Sequence, residues 1–211
     1  MRIAILGDRG SMTAELVHRA LCAGYDVQAL AQDTSKLYSG MRELTVRKGD
    51  VTTGEGIRLT IAGCPFVVWA PDSTSRVVQG MALVIRDLWQ SRSLRRFVFV
   101  SSLGTNESLS QAAMASGPFP VLRLKLRTGL NEMGQAEDML RATTLPYLIL
   151  RPARLTNGGV THRVVAVDAD DRPPGHVSRS DVAEYALGVL DAPGLEGAAR
   201  TIGTRRAGRV A

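Results

Sequence analysis

Residues 7–13 read GDRGSMT and join an apolar run, Ile3-Ala4-Ile5-Leu6, to a helix-like stretch that opens with Ala14-Glu15-Leu16. Gly7 permits a tight exit from a strand, and Gly10 lets the backbone approach a bulky anion. The helix start beyond them offers unpaired amides and a positive dipole end. Such a loop suits a pyrophosphate, although a plain strand-to-helix turn reads the same way. Two residues run against the pattern. Thr13 stands where a third glycine would let helix and strand pack closely, so its side chain either pushes the helix outward or bonds to the loop backbone. Asp8 adds a carboxylate that Arg9 or a helix amide must offset.

Further candidates sit at the ends of later apolar runs. Ser101 and Ser102 follow Phe97-Val98-Phe99-Val100; Ser102 can orient a carbonyl by hydrogen bonding, and the pair can equally cap a strand end. Arg151 and Arg154 follow Leu148-Ile149-Leu150 and suit an anionic substrate or a phosphate, unless Asp168, Asp170 or Asp171 pairs with them. His162, a side chain that titrates near neutrality, is the candidate acid, with a surface imidazole as the plainer reading. Tyr147 and Tyr185 read as packing residues, and Ser180-Asp181 as a helix N-cap.

Apolar runs of strand length recur at residues 2–6, 26–31, 44–47, 65–70, 96–101, 146–151 and 199–202. Helical patterns separate most of them: Val77, Met81, Val84, Ile85 and Leu88 share one face of a helix starting near Ser73 or Thr74. Strands apolar on both faces, alternating with helices, predict a single-domain, Rossmann-like α/β fold over residues 1–211, a doubly wound parallel sheet of about six or seven strands. Ligands then lie outside the carboxyl ends of the strands. Two excursions, 104–129 and 155–179, break the rhythm and are placed to cover a substrate. The second holds a possible short strand from His162 to Val167.

The net charge of +6 comes mostly from scattered arginines, the lysines being Lys36, Lys48 and Lys125. No aromatic residues interleave with them, which argues against nucleic acid and for an anionic small molecule. Cys22 and Cys64 have no metal-ligand spacing and read as reduced core residues, so no metal site is expected. No segment reaches the roughly 18 apolar residues of a membrane span, and a cytoplasmic protein with no membrane partner is expected. The apolar helix face at 77–88 and open strand edges suggest a homodimer.

In order, the segments GDRGSMT, ALAQDTSKL, GDVT, RRFVFVSSLGT, AEDMLRATTLPYLILRPARLT and VSRSDVAEYAL resemble the atypical short-chain dehydrogenase/reductases, NmrA-like proteins and biliverdin reductase B type flavin reductases among them. The resemblance runs from Arg2 to about Thr204. It is most specific at VSSLGT (100–105), LILRPARLT (148–156) and SRSDVAEYAL (178–187).

This resemblance implies an NAD(P)-binding protein in which Gly7, Arg9, Gly10, Ser11 and Met12 line the pyrophosphate. Asp50 and Val51 would flank the adenine, Ala70 and Pro71 would pass under the ribose, and Ser101 with Ser102 would face the nicotinamide. Gln32 stands where relatives carry an arginine for the 2′-phosphate; Arg9 and Lys36 are substitutes that favour NADP while leaving NAD open. Gly129 and Met133 fall where the wider superfamily places a tyrosine and a lysine that transfer a proton. The implied activity is reduction of a small aromatic, quinone-like or flavin acceptor. The alternatives are an NmrA-like sensor or pathway partner without turnover, and a non-redox isomerase or cyclase with His162 as base.

Overall fold

The computed structural model describes residues 1–7, 10–35, 37, 41–71, 76–106, 120–168 and 175–204, with residues 120–129 described by their backbone alone. In chain order the elements are β1 (Arg2–Gly7), α1 (Ser11–Cys22), β2 (Asp26–Ala31), β3 (Leu44–Lys48), α2 (Ile57–Ile61), β4 (Phe66–Ala70), α3 (Val77–Trp89) and β5 (Arg96–Val100). They continue with α4 (Pro120–Arg141), β6 (Tyr147–Pro152), β7 (Leu155–Thr156), β8 (Val164–Val167), β9 (Val177–Ser178), α5 (Arg179–Gly188) and β10 (Ala198–Thr204).

An eight-stranded sheet is built in the order β3-β2-β1-β4-β5-β6-β10-β8, and β7 and β9 form a separate pair. Every neighbouring pair in the large sheet is parallel except β10 and β8, which run antiparallel with Thr201 opposite Val167. The sheet is therefore Rossmann-like, as the alternation predicts, but larger and less uniform than the apolar runs suggest. The added strand is the short one in the second excursion. Its residues are at most half-buried, which suits an edge strand.

Period-two alternation supplies both faces of the sheet. Ile3, Ile5, Phe66, Val68, Val98, Val100, Leu148 and Leu150 join the core under α1 and α5. Their sequence neighbours Ala4, Leu6, Val67, Trp69, Phe97, Phe99, Tyr147 and Ile149 join the core under α2, α3 and α4. Tyr147 is thus a packing residue.

Two expectations are corrected here, and one of the grounds for a homodimer falls away. Residues 120–129 belong to the long helix α4, not to an excursion, and residues 107–119 lie outside the described part. On α3, Val77, Met81, Val84 and Leu88 are at most 1% exposed, so the face that suggested a homodimer is spent on the sheet. Of the two cysteines only Cys64 is buried; Cys22 is exposed.

Candidate functional site

Strand order reverses between β1 and β4, where Gly7 pairs with Ala70 at the carboxyl ends. Such a switch point leaves a crevice for a ligand. The first turn of α1 opens into it with Gly10 as N-cap, no side-chain cap and no acidic residue. Its free amides suit an anion.

Thr13, in that first turn, is 2% exposed, and its Oγ1 has no hydrogen-bond partner among the described residues. A Cβ built on Gly7 would lie 1.8 Å from that oxygen. The threonine side chain fills the space over Gly7. Ser11 is exposed at the helix start. Met12, 4% exposed, packs into the core, so only its backbone faces the crevice. Arg9 and Lys36 lie outside the described residues.

One strand over, the ends of β2 and β3 bring Gln32 and Asp50 together. Asp50 Oδ1 accepts from the Thr52 amide at 2.7 Å and the Thr52 hydroxyl at 2.8 Å. Burial alone would raise the Asp50 carboxyl, but bonds from Thr52 and from the Gln32 side chain, with the charge of Arg76 nearby, hold it below its usual range. Gln32 is thus engaged with Asp50. Arg76, the left-handed N-cap of α3, is a cation of this region that sequence spacing does not reveal. Val51 is fully buried and offers only backbone, and Ala70, 1% exposed, is followed by half-buried Pro71.

At the end of β5 the structure separates the two serines. Ser101, 7% exposed, donates to Glu137 Oε1 on α4 at 2.5 Å and so is turned inward, not toward a nicotinamide. Ser102 is half-buried, and its hydroxyl makes only a long 3.4 Å contact with the Leu103 carbonyl among the described residues. It is the hydroxyl left available at this edge.

Arg151 departs from its expected role. It is 1% exposed and pairs through Nη2 with Glu137 Oε2 at 2.5 Å, itself fully buried, so it faces the interior and no substrate. Arg154, three residues on, is exposed, with no salt-bridge partner among the described residues. A charged residue on the stripe formed by Met133, Ala136 and Leu140 is the sequence signal for Glu137, because an acid on an apolar helix face needs a partner.

His162 is not gathered at this edge. Its Nδ1 lies 2.8 Å from Glu184 Oε1 on α5, and its side chain is 77% exposed. Glu184 also borders a cleft with Met1, Ala23, Gly24 and Tyr25, at the amino ends of β1 and β2. The segment that carries His162, residues 157–162, forms a strap anchored along α5: Ser180 Oγ donates to the Gly158 carbonyl at 2.8 Å. Asp181 accepts from the Thr161 amide at 2.7 Å and its hydroxyl at 2.9 Å. The N-cap of α5 is Ser178, which accepts from the Asp181 amide, so Ser180-Asp181 clasps the strap instead of capping the helix.

A model of NAD(P)H-binding domains matches residues 7–193. The chain belongs to the NAD(P)H-binding family. An uncharacterised chloroplastic protein of Arabidopsis thaliana is 26% identical over 210 residues, covering 90% of this chain and 71% of that protein. Among solved structures, ChuY of Escherichia coli O157:H7, described as an anaerobilin reductase, superposes with a TM-score of 0.82 at 19% identity over 99% of both chains. A short-chain dehydrogenase/reductase of Veillonella parvula in complex with NADP gives 0.73 at 19% identity, over 96% of this chain and 94% of that one. These likenesses show the fold, and the family model bears out the expected NAD(P)-binding resemblance. Among the described residues, no helix is long and apolar enough to cross a membrane.

Proposed function

We propose that the chain is an NAD(P)H-dependent reductase of the atypical short-chain class, taking NADPH and reducing a small aromatic, quinone-like or flavin acceptor. The observation that carries this reading is the first turn of α1 at the switch point, with no side-chain cap and beside a buried Thr13 hydroxyl that has no partner among the described residues. Hydrogen-bond donors without acceptors fit a pyrophosphate. When bound, the dinucleotide supplies the hydride.

Gly7 and Gly10 admit its phosphates, with the backbone of Ser11 and Met12 as donors. Gln32 and Asp50, with the backbone of Val51, border the adenosine, and Ala70-Pro71 passes under the ribose. Arg9 and Lys36 are the cations assigned to a 2′-phosphate. Ser102 orients the acceptor carbonyl and Arg154 meets an anionic substituent of the substrate. The proton comes from solvent or from the acceptor's own chemistry, since neither Gly129 nor Met133 can transfer one. That ChuY is described as a reductase, and that the Veillonella protein holds NADP, both support the reading.

One observation favours a second reading. Met133, at the place of the superfamily lysine, is 4% exposed and part of the core, as suits a dinucleotide-binding sensor or pathway partner without turnover. No observation favours the isomerase or cyclase reading, whose base His162 is exposed and lies against Glu184 on α5.

The deciding experiment follows NADPH absorbance with the purified chain and, in turn, a quinone and a flavin. Oxidation that depends on the enzyme and drops in Ser102→Ala supports the reductase. Binding of NADPH without oxidation by any acceptor supports the sensor.

A further inference from the structure

Glu137 is a fully buried carboxylate that the proposed chemistry does not use. Through Oε1 it accepts from Ser101 Oγ at 2.5 Å, Thr105 Oγ1 at 2.8 Å and Arg151 Nε at 3.1 Å. Through Oε2 it accepts from Arg151 Nη2 at 2.5 Å and Asn106 Nδ2 at 3.1 Å. One carboxylate thus ties the turn after β5 to α4 and β6.

Its partners include every polar side chain of that turn but one. Thr105 Oγ1 also lies 2.9 Å from the Ser102 carbonyl, so its one proton is shared between that oxygen and Glu137, and Asn106, held at φ +44°, donates to the Gly134 carbonyl at 3.1 Å. Gly134 is a glycine to good purpose, because a Cβ there would lie 2.9 Å from Asn106 Oδ1. Ser101, Thr105 and Asn106 are all spent on this anchor. Ser102, between them, is fixed by its backbone and keeps its hydroxyl.

We propose that Glu137 is a positioning residue: held by Arg151, it fixes the Ser101–Asn106 turn so that the Ser102 hydroxyl is presented at the carboxyl edge of β5. The proposal rests on the reductase reading for the use made of Ser102. A neutral amide cannot replace the carboxylate, because its nitrogen would meet another donor in Asn106 or Arg151. Cofactor phosphates and adenosine are assigned to the ends of β1, β2 and β3. Losing the anchor should therefore reduce turnover and spare dinucleotide affinity.

A double-mutant cycle tests this. Glu137→Gln and Ser102→Ala are each expected to lower kcat about tenfold or more, with the dissociation constant for NADPH within about twofold of wild type. The combined variant should lose no more than the more impaired single one, since both act through one hydroxyl. Should Glu137→Gln fail to fold, Glu137→Met with Arg151→Met removes both buried charges together and takes its place. Additive losses, or an anchorless variant that folds and keeps its kcat, overturn the proposal.

If the wild type binds NADPH yet oxidises it with no acceptor, the reductase reading fails by itself. Positioning is then read from the fluorescence of bound NADPH, which Glu137→Gln and Ser102→Ala should shift alike and the combination no further; independent shifts overturn it. Failure of the wild type to bind either nucleotide overturns both.

Discussion

The side chain of Thr13 occupies the space that a Cβ on Gly7 would need, 1.8 Å from Thr13 Oγ1 and 2.6 Å from its Cγ2. In a three-glycine loop the third glycine lets helix and strand approach. Here the first glycine makes the room and a threonine uses it. Gly7→Ala is therefore expected to destabilise the chain by about 1–3 kcal/mol in urea denaturation, as overpacking does. Thr13→Gly in the same chain should recover part of that loss, despite its own cost to the helix. Equal destabilisation with and without Thr13 would show that the two do not compete for space.

Glu137 and Arg151 are 0% and 1% exposed, so each leaves a buried charge uncompensated when the other is removed. Arg151→Met alone should cost about 3–5 kcal/mol, and Arg151→Met with Glu137→Met far less. Thermal unfolding of the two variants measures the difference.

The strap at 157–162 hangs on α5 by polar bonds, with Asp181, 1% exposed, at its centre. Asp181→Ala should open it locally and leave the sheet intact. Trypsin should then cut after Arg163 about tenfold faster than in the wild type, while circular dichroism changes little.

Asp50 is held below its ordinary value of 3.8, so the folded chain takes up this proton less readily than the unfolded one. Its contribution to stability is complete above that value and is lost as pH falls through the lower folded one. Asp50→Asn should accordingly flatten the acid limb of a stability profile and lower stability at neutral pH.

Burial pushes the Cys64 thiol up to about 11, while Cys22 is exposed. A disulfide reagent at pH 8 should modify one thiol quickly and the second about a hundredfold more slowly, with the difference vanishing in denaturant.

Much of this architecture is written in single segments. Phe66–Ala70 and Phe97–Val100 carry apolar side chains toward both faces, which only a covered parallel sheet satisfies. The antiparallel strand β8 was legible only as a short possibility, since four partly exposed residues amid Gly, Pro and Asp carry little pattern. The first turns of α4 were hidden for a similar reason, the stretch opening on Pro120, just after Pro118, and containing Gly129. What escaped at the site are pairings between elements. Arg151 was weighed against nearby aspartates, yet its partner lies on a helix fourteen residues earlier. His162 looked well placed in sequence, but Glu184 draws it to the outer side of α5. Spacing along the chain does not encode which of several inward or outward partners a side chain will meet.

The account turns on the loop between β1 and α1 holding a dinucleotide. Fluorescence titration of the purified chain with NADPH and with NADH measures this directly, alongside Gly10→Val. The account predicts saturable binding of a reduced dinucleotide, NADPH the tighter, weakened about tenfold or more by the valine. Binding of neither nucleotide, or binding that the valine leaves unchanged, would contradict it.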